Sequence, residues 1–85
     1  MFRRKKIVLS KQVDGVWLIL QKDKIHVRRL NEVAGFLWGN LSNWRSEENL
    51  VNDLVSAFEV AKEVAKQDVM KWLEEYVRLD FLEKK

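Results

Sequence analysis

The sequence predicts an α+β fold in which a three-stranded antiparallel sheet is followed by three helices. Three observations predict it. The β-branched and aromatic runs, with turn signals between them, fall within the first thirty residues. From Asn31 onward the apolar residues recur at helical spacing behind capping residues. The chain has 85 residues, of which 47% are hydrophobic and 34% charged. That is the length of one small domain and the balance of a folded rather than a disordered chain.

Each element has its own signal. Ile7-Val8-Leu9 reads as a short apolar strand, and Asp14-Gly15 as a turn. Val16-Trp17-Leu18-Ile19-Leu20 is β-branched, aromatic and apolar, as in a buried strand. Lys22-Asp23 marks a second turn. Lys24-Ile25-His26-Val27-Arg28-Arg29-Leu30 begins with polar and apolar residues alternating, the pattern of a half-buried strand. Two closely spaced turns imply a meander.

The helices follow. Asn31 is an N-cap, and Glu32 in the first turn suits the helix dipole. Val33, Ala34, Leu37, Trp38 and Leu41 share a face, and Gly39, Asn40, Ser42 and Asn43 end that helix. Ser46 caps a second helix with the stripe Leu50, Leu54, Val55 and Phe58. A third runs from about Lys62 to Leu79, with Ala65, Val69, Trp72, Leu73, Tyr76 and Leu79 on one side. Asp80 ends it, and Phe81-Leu82 fold back onto the core. Trp17, Trp38 and Leu30 are core residues on this reading. Trp44, in a loop, either packs over the core or faces a partner, and Arg3–Lys6 reads as a solvated tail.

Composition narrows the function. The chain has no cysteine, so disulfides, thiol nucleophiles and thiolate metal sites are excluded. Cysteine-free composition fits a cytoplasmic location. His26 is the only histidine, and no metal site is expected. Glycine occurs only at 15, 35 and 39, so no phosphate-cradling loop or dinucleotide fingerprint exists and no cofactor is implied. No motif joins Ser10, His26 and Asp68 into a catalytic set, so the chain is read as a non-enzyme. No apolar stretch approaches the roughly 20 residues of a membrane span.

The net charge of +3 conceals an asymmetry. Residues 1–46 hold ten Lys/Arg against three Asp/Glu, a balance of +7, while residues 47–85 hold six against ten, a balance of −4. Such a division points to a directional partner, either a phosphate backbone or an acidic peptide, or to an unevenly charged solvated surface.

Three stretches carry a resemblance. Leu30-Asn31-Glu32-Val33-Ala34-Gly35-Phe36-Leu37-Trp38 matches a Leu-Asn-x-x-Ala-x-x-x-Trp pattern. Ser46-Glu47-Glu48 precedes an apolar helix, and Asp68-Val69-x-x-Trp72-Leu73 is followed by Phe81-Leu82. Together they resemble the PqqD-like family, the recognition elements of ribosomally synthesised, modified peptides, from about Ile7 to Leu82. Three departures stand out. Asn49 occupies the position of a capping-box Glu, Asp80 that of a glycine, and residues 40–45 depart from the usual Gly-x-Thr entry to the second helix.

The resemblance implies a winged helix-turn-helix-like fold, with residues 1–85 forming a single, stand-alone peptide-recognition domain. It also implies that the leader segment of a precursor peptide binds as an added strand and is presented to a modifying enzyme or leader peptidase, as in lasso-peptide systems. The implied edge is Lys24, Ile25, His26, Val27, Arg28 and Arg29. The implied groove wall on the third helix is Asp68, Lys71, Trp72, Glu75 and Tyr76. Each side has a plainer reading too: Trp72 as core, Tyr76 as a core-edge residue, and Lys24, Arg28 and Arg29 as charges that protect an edge strand from aggregation. The basic edge calls for an acidic leader, with binding that weakens in salt.

A winged-helix DNA-binding protein is the alternative. Nucleic acid is not expected, because the third helix carries Glu63, Asp68, Glu74 and Glu75 and the second opens with Glu47-Glu48, all repelling phosphates. No membrane partner is expected, and the oligomeric state is monomer or weak dimer.

Overall fold

The computed structural model describes residues 1–22, 24 and 26–85. Among these the order is β1 (Phe2–Arg4), β2 (Val8–Val13), β3 (Val16–Gln21), β4 (Arg28–Arg29), α1 (Glu32–Gly39), α2 (Glu47–Phe58), α3 (Lys62–Arg78) and β5 (Leu82–Lys84). The strands form an antiparallel sheet ordered β2-β3-β4 and a two-stranded ribbon of β1 and β5.

Local chemistry explains most of the boundaries. The turn between β2 and β3 has Asp14 at φ 51° and Gly15 at φ 80°. Positive φ at both central residues matches the twist of a tight hairpin. Val13 consequently faces Val16, and the pairing runs back to Val8 opposite Gln21. Asn31 caps α1 by accepting from the Ala34 N–H at 2.8 Å, and Ser46 caps α2 by accepting from the Asn49 N–H at 3.0 Å. Asp80 sits at φ 71° just beyond α3, a left-handed position that suits glycine and that Asp tolerates better than most residues. The departure from glycine at 80 therefore leaves the helix end intact.

Two expectations are corrected. The third strand, expected over Lys24–Leu30, is strand only at Arg28–Arg29 among the described residues. β3 stops at Gln21, whose carbonyl accepts from the Lys24 N–H at 2.9 Å. Its side-chain amide turns instead to the carbonyls of Leu79 at 3.0 Å and Asp80 at 3.3 Å. The expected first strand begins at Val8 rather than Ile7 and continues to Val13. The turn expected at Lys22-Asp23 falls partly on Asp23, outside the described residues.

Arg3–Lys6 is not a solvated tail. Phe2, Arg3 and Arg4 pair with Lys84, Glu83 and Leu82. Phe2 also exchanges backbone bonds with Arg45, at 2.8 and 2.9 Å, and the Arg4 N–H reaches the Leu41 carbonyl at 2.9 Å. Ion pairs join Arg3 to Glu83 at 3.0 Å and Lys5 to Asp80. Trp44 belongs to this corner, with the Arg3 guanidinium 4.5 Å and the Lys85 ammonium 4.7 Å from its ring centre. Its place in a loop is explained by those two cations.

The core lies between the three-stranded sheet and the helices. Trp38, Leu37, Leu41, Leu50, Val69, Leu73 and Leu82 are fully buried around Ile19. Leu30 and Phe81 close it as expected. Trp17 lies half-buried on α1, where Gly35 and Gly39, one turn apart, leave room for its indole. A Cβ at Gly35 would stand 3.2 Å from Trp17 Cδ1, and one at Gly39 would stand 3.3 Å from Nε1. The two glycines thus let β3 and α1 approach closely.

Candidate functional site

β4 is the open margin of the sheet. It pairs with β3 through Leu18 opposite Arg29 and Ile19 opposite Arg28, and no other described strand lies beyond it. The Leu30 N–H donates to the Trp17 carbonyl at 2.9 Å. Backbone direction alternates along an antiparallel ladder, so Arg28 also points its N–H and C=O toward β3 while Arg29 points both outward. Arg29 therefore offers one free donor and one free acceptor on the open side.

Side chains alternate as well. Arg28 shares the face of buried Ile19 and turns toward the helices, whereas Arg29 shares the face of Leu18. The Arg28 guanidinium lies 5.5 Å from the ring centres of Tyr76 and Phe81, and its Nη1 is 3.8 Å from Glu75 Oε1. Trp72 stacks on Tyr76 at 4.3 Å and 25°, and Tyr76 meets Phe81 at 5.4 Å. Three rings thus form a row from α3 into the chain that follows it, with Arg28 over its lower half. Beside β4 opens a cleft of about 430 Å³ lined by Gln21, Lys24, His26, Val27, Arg28, Leu79 and Phe81.

These contacts bring together Arg28, Trp72, Glu75 and Tyr76 of the residues singled out from sequence, with Lys24, His26 and Val27 along the cleft. Ile25 lies outside the described residues. Asp68 and Lys71 sit exposed on α3, one turn and one residue before Trp72, without a hydrogen bond or ion pair among the described residues. Trp72 is half-buried, and its indole N–H is enclosed without an acceptor among the described residues. Tyr76 is only 4% exposed, so its ring belongs to the core, and it meets the cleft through its contacts with Arg28 and Phe81. Gln21, Leu79 and Phe81 were not assigned to the site from sequence. Leu79 continues the helical stripe of Trp72 and Tyr76, a signal that could have found it. Gln21 carries no such signal.

Electrostatics around the cleft are cationic on the strand side and mixed on the helix side. Elsewhere, Arg4 lies 5.6 Å from the ring centres of both Trp17 and Trp38, and burial pushes its guanidinium below the ordinary arginine pKa. Among the described residues no group of three or more His, Cys, Asp or Glu gathers to hold a metal ion. No described helix is long and apolar enough to cross a membrane.

The model of the family described as coenzyme PQQ synthesis protein D, PqqD, matches residues 17–82. The chain belongs to the PqqD family. That match spans β3 from Trp17 onward, β4, all three helices and the first residue of β5, so every part of the cleft lies within the PqqD region. Two solved structures share the fold. TbiB1 in complex with the TbiA(beta) leader peptide superposes with a TM-score of 0.87 at 18% identity, covering 98% of this chain and 96% of that one. Lasso peptide synthetase B1 complexed with the leader peptide gives 0.83 at 19% identity, covering 98% of each. No curated protein sequence matches this chain significantly. Likeness at these identities establishes the PqqD-type α+β fold over almost the whole chain, including the ribbon of β1 and β5 that lies largely outside the family match.

Proposed function

We propose that this protein captures the leader segment of a ribosomally synthesised precursor peptide and presents it to a modifying enzyme or leader peptidase. The observation that carries this reading is the open margin of β4 beside a cleft lined by Leu79 and Phe81, with Arg28 reaching over it to the ring of Tyr76. An extended peptide pairs with the outward N–H and C=O of Arg29 whatever its side chains, because the backbone groups are the same at every residue. Selectivity then comes from the cleft. Every second peptide side chain turns toward α3, where Trp72, Tyr76, Leu79 and Phe81 supply apolar surface and Arg28 a cation. Both similar structures described above hold leader peptides, which supports the same task here.

In this reading Lys24, Ile25, His26, Val27, Arg28 and Arg29 supply the edge and its charge. Asp68, Lys71, Trp72, Glu75 and Tyr76 form the facing wall. The protein contributes binding and orientation, not bond-making. Ribosomally made peptide is met in the cytoplasm, and one copy of the chain suffices for one leader. DNA binding fits poorly: Glu63, Asp68, Glu74 and Glu75 are exposed on α3 and would face phosphates.

Amide exchange followed by NMR tests the proposal, using synthetic leader peptide of the cognate precursor. The Arg29 N–H, free at the margin, should become protected on binding while the already paired Leu30 N–H changes little. Saturable binding that leaves Arg29 exchange unaltered would show that the leader lies elsewhere.

A further inference from the structure

The register of the three-stranded sheet sorts its side chains onto two faces. Ile19 and Gln21 face the helices, as the burial of Ile19 and the bond from Gln21 to the Leu79 carbonyl show. On the other face Leu9 stands opposite Leu20, and Lys11, Leu18 and Arg29 form one row across all three strands. No described helix covers that face. Leu9 is 51% exposed and Val13, at the hairpin end of the same face, 43%. The solvent side of an antiparallel sheet is ordinarily polar, so an aliphatic ridge there points to a contact with another molecule. Its charges are of one sign: Lys11 and Arg29 flank Leu18.

We infer that this outer sheet face is the docking surface for the enzyme that acts on the captured peptide, and that the enzyme meets it with an apolar patch edged by carboxylates. The inference rests on strand addition at β4. A peptide paired to Arg29 lengthens the sheet by one strand, and its alternate side chains stand on this same outer face beside Arg29, one strand beyond Leu18. A protein seated there touches carrier and cargo together, and its affinity for the loaded carrier exceeds that for the empty one. Lys11 and Arg29 supply the charge complementarity, which steers encounter and excludes wrong partners. A second copy of this chain is a poor occupant. A two-fold contact through this face would set the cations of one copy toward those of the other, with no carboxylate in the cross-strand rows to receive them.

The test uses the full chain with its precursor peptide and the enzyme that processes that peptide. The variants are Lys11→Glu alone and Leu9→Ser with Lys11→Glu. Neither residue borders the cleft beside β4, and both are exposed, so the fold has little reason to fail. Leader affinity, read by tryptophan fluorescence, should stay within about twofold of the parent, while processing at low enzyme concentration should fall about tenfold or more. Raising the enzyme concentration should restore the rate, because the defect is in docking. Processing that matches the parent in both variants would overturn the inference. So would capture of the parent, but not Lys11→Glu, by vesicles of phosphatidylcholine and phosphatidylglycerol without enzyme. A dimer in sedimentation that Lys11→Glu dissolves would overturn it equally. Failure of the parent protein to bind leader at all would instead remove the proposed function, an outcome the fluorescence arm reads separately.

Discussion

The Arg28 guanidinium lies 5.5 Å over the ring of Tyr76 and 3.8 Å from the Glu75 carboxylate, so a β4 side chain spans the cleft to α3. Both charges are more than a third exposed, and an ion pair of that kind contributes about 0–1 kcal/mol to folding. Arg28→Ala should therefore leave thermal stability nearly unchanged. Leader affinity should fall about tenfold, since a cation held over an aromatic surface is well placed to meet a peptide carboxylate. Isothermal titration beside a melting curve separates the two effects.

Trp72 allows a sharper division. Its indole N–H is enclosed without an acceptor among the described residues, and phenylalanine dispenses with that donor, while its ring surface stacks on Tyr76. Trp72→Phe should keep stability within about 1 kcal/mol and retain most leader binding. Trp72→Ala loses the stack and should weaken binding about tenfold or more. If alanine and phenylalanine bind leader equally well, the Trp72 ring is not an anchor for the peptide.

Affinity should also respond to ionic strength. Lys24, His26, Val27 and Arg28 line the strand side of the cleft, and Arg29 adds a cation on the outer face. An acidic leader should lose about fivefold in affinity between roughly 50 and 500 mM salt, because exposed charges more than a Debye length apart are screened. A flat salt profile would mean that apolar contacts and backbone pairing carry recognition alone.

The seat of Trp17 is testable through stability. Alanine is favoured over glycine within a helix by about 1 kcal/mol. At Gly35, however, the added carbon would stand 3.2 Å from Trp17 Cδ1 at a buried position, so crowding should win. Gly35→Ala should destabilise by about 1 kcal/mol, and the penalty should shrink when Trp17 is also reduced to Leu. Denaturant unfolding of the four proteins in that cycle gives the coupling.

Asp80 sets two small effects against each other. Its left-handed backbone, at φ 71°, costs a non-glycine residue about 1–2 kcal/mol, and its exposed pair with Lys5 returns at most about 1 kcal/mol. Asp80→Gly should raise the melting temperature slightly. Asp80→Asn keeps the tolerance for that backbone but loses the charge, and should lower it.

What could be read from residues alone follows from how far each interaction reaches along the chain. Asn31 and Ser46 bond within three residues, and Asp14-Gly15 makes its own turn, so these were visible as written. Arg28, Tyr76 and Glu75 were named for the site because the family resemblance placed them; their spacing of nearly fifty residues shows nothing by itself. The ribbon of β1 and β5 is not legible in the sequence, because its partners lie about eighty residues apart and each strand has only three residues, too few for a periodic pattern. The length of β4 was overestimated from the alternation in Lys24–Leu30. Gln21 stays paired with Val8, but its carbonyl accepts from the Lys24 N–H and its side-chain amide turns to the end of α3, and among the described residues pairing on the other side of β3 is confined to Arg28 and Arg29. The seat of Trp44 is illegible in the sequence for a related reason: its two cations, Arg3 and Lys85, come from opposite ends of it.

The Met1 amino group donates to the Lys85 carbonyl at 3.1 Å, and the Lys85 N–H returns a bond to Met1 at 3.0 Å. Entry and exit of the polypeptide therefore share one corner. A unit built this way can be spliced into a surface loop of a larger host with short connectors and without disturbing either party. It can also be circularised there and reopened at the Asp14-Gly15 hairpin with its architecture preserved.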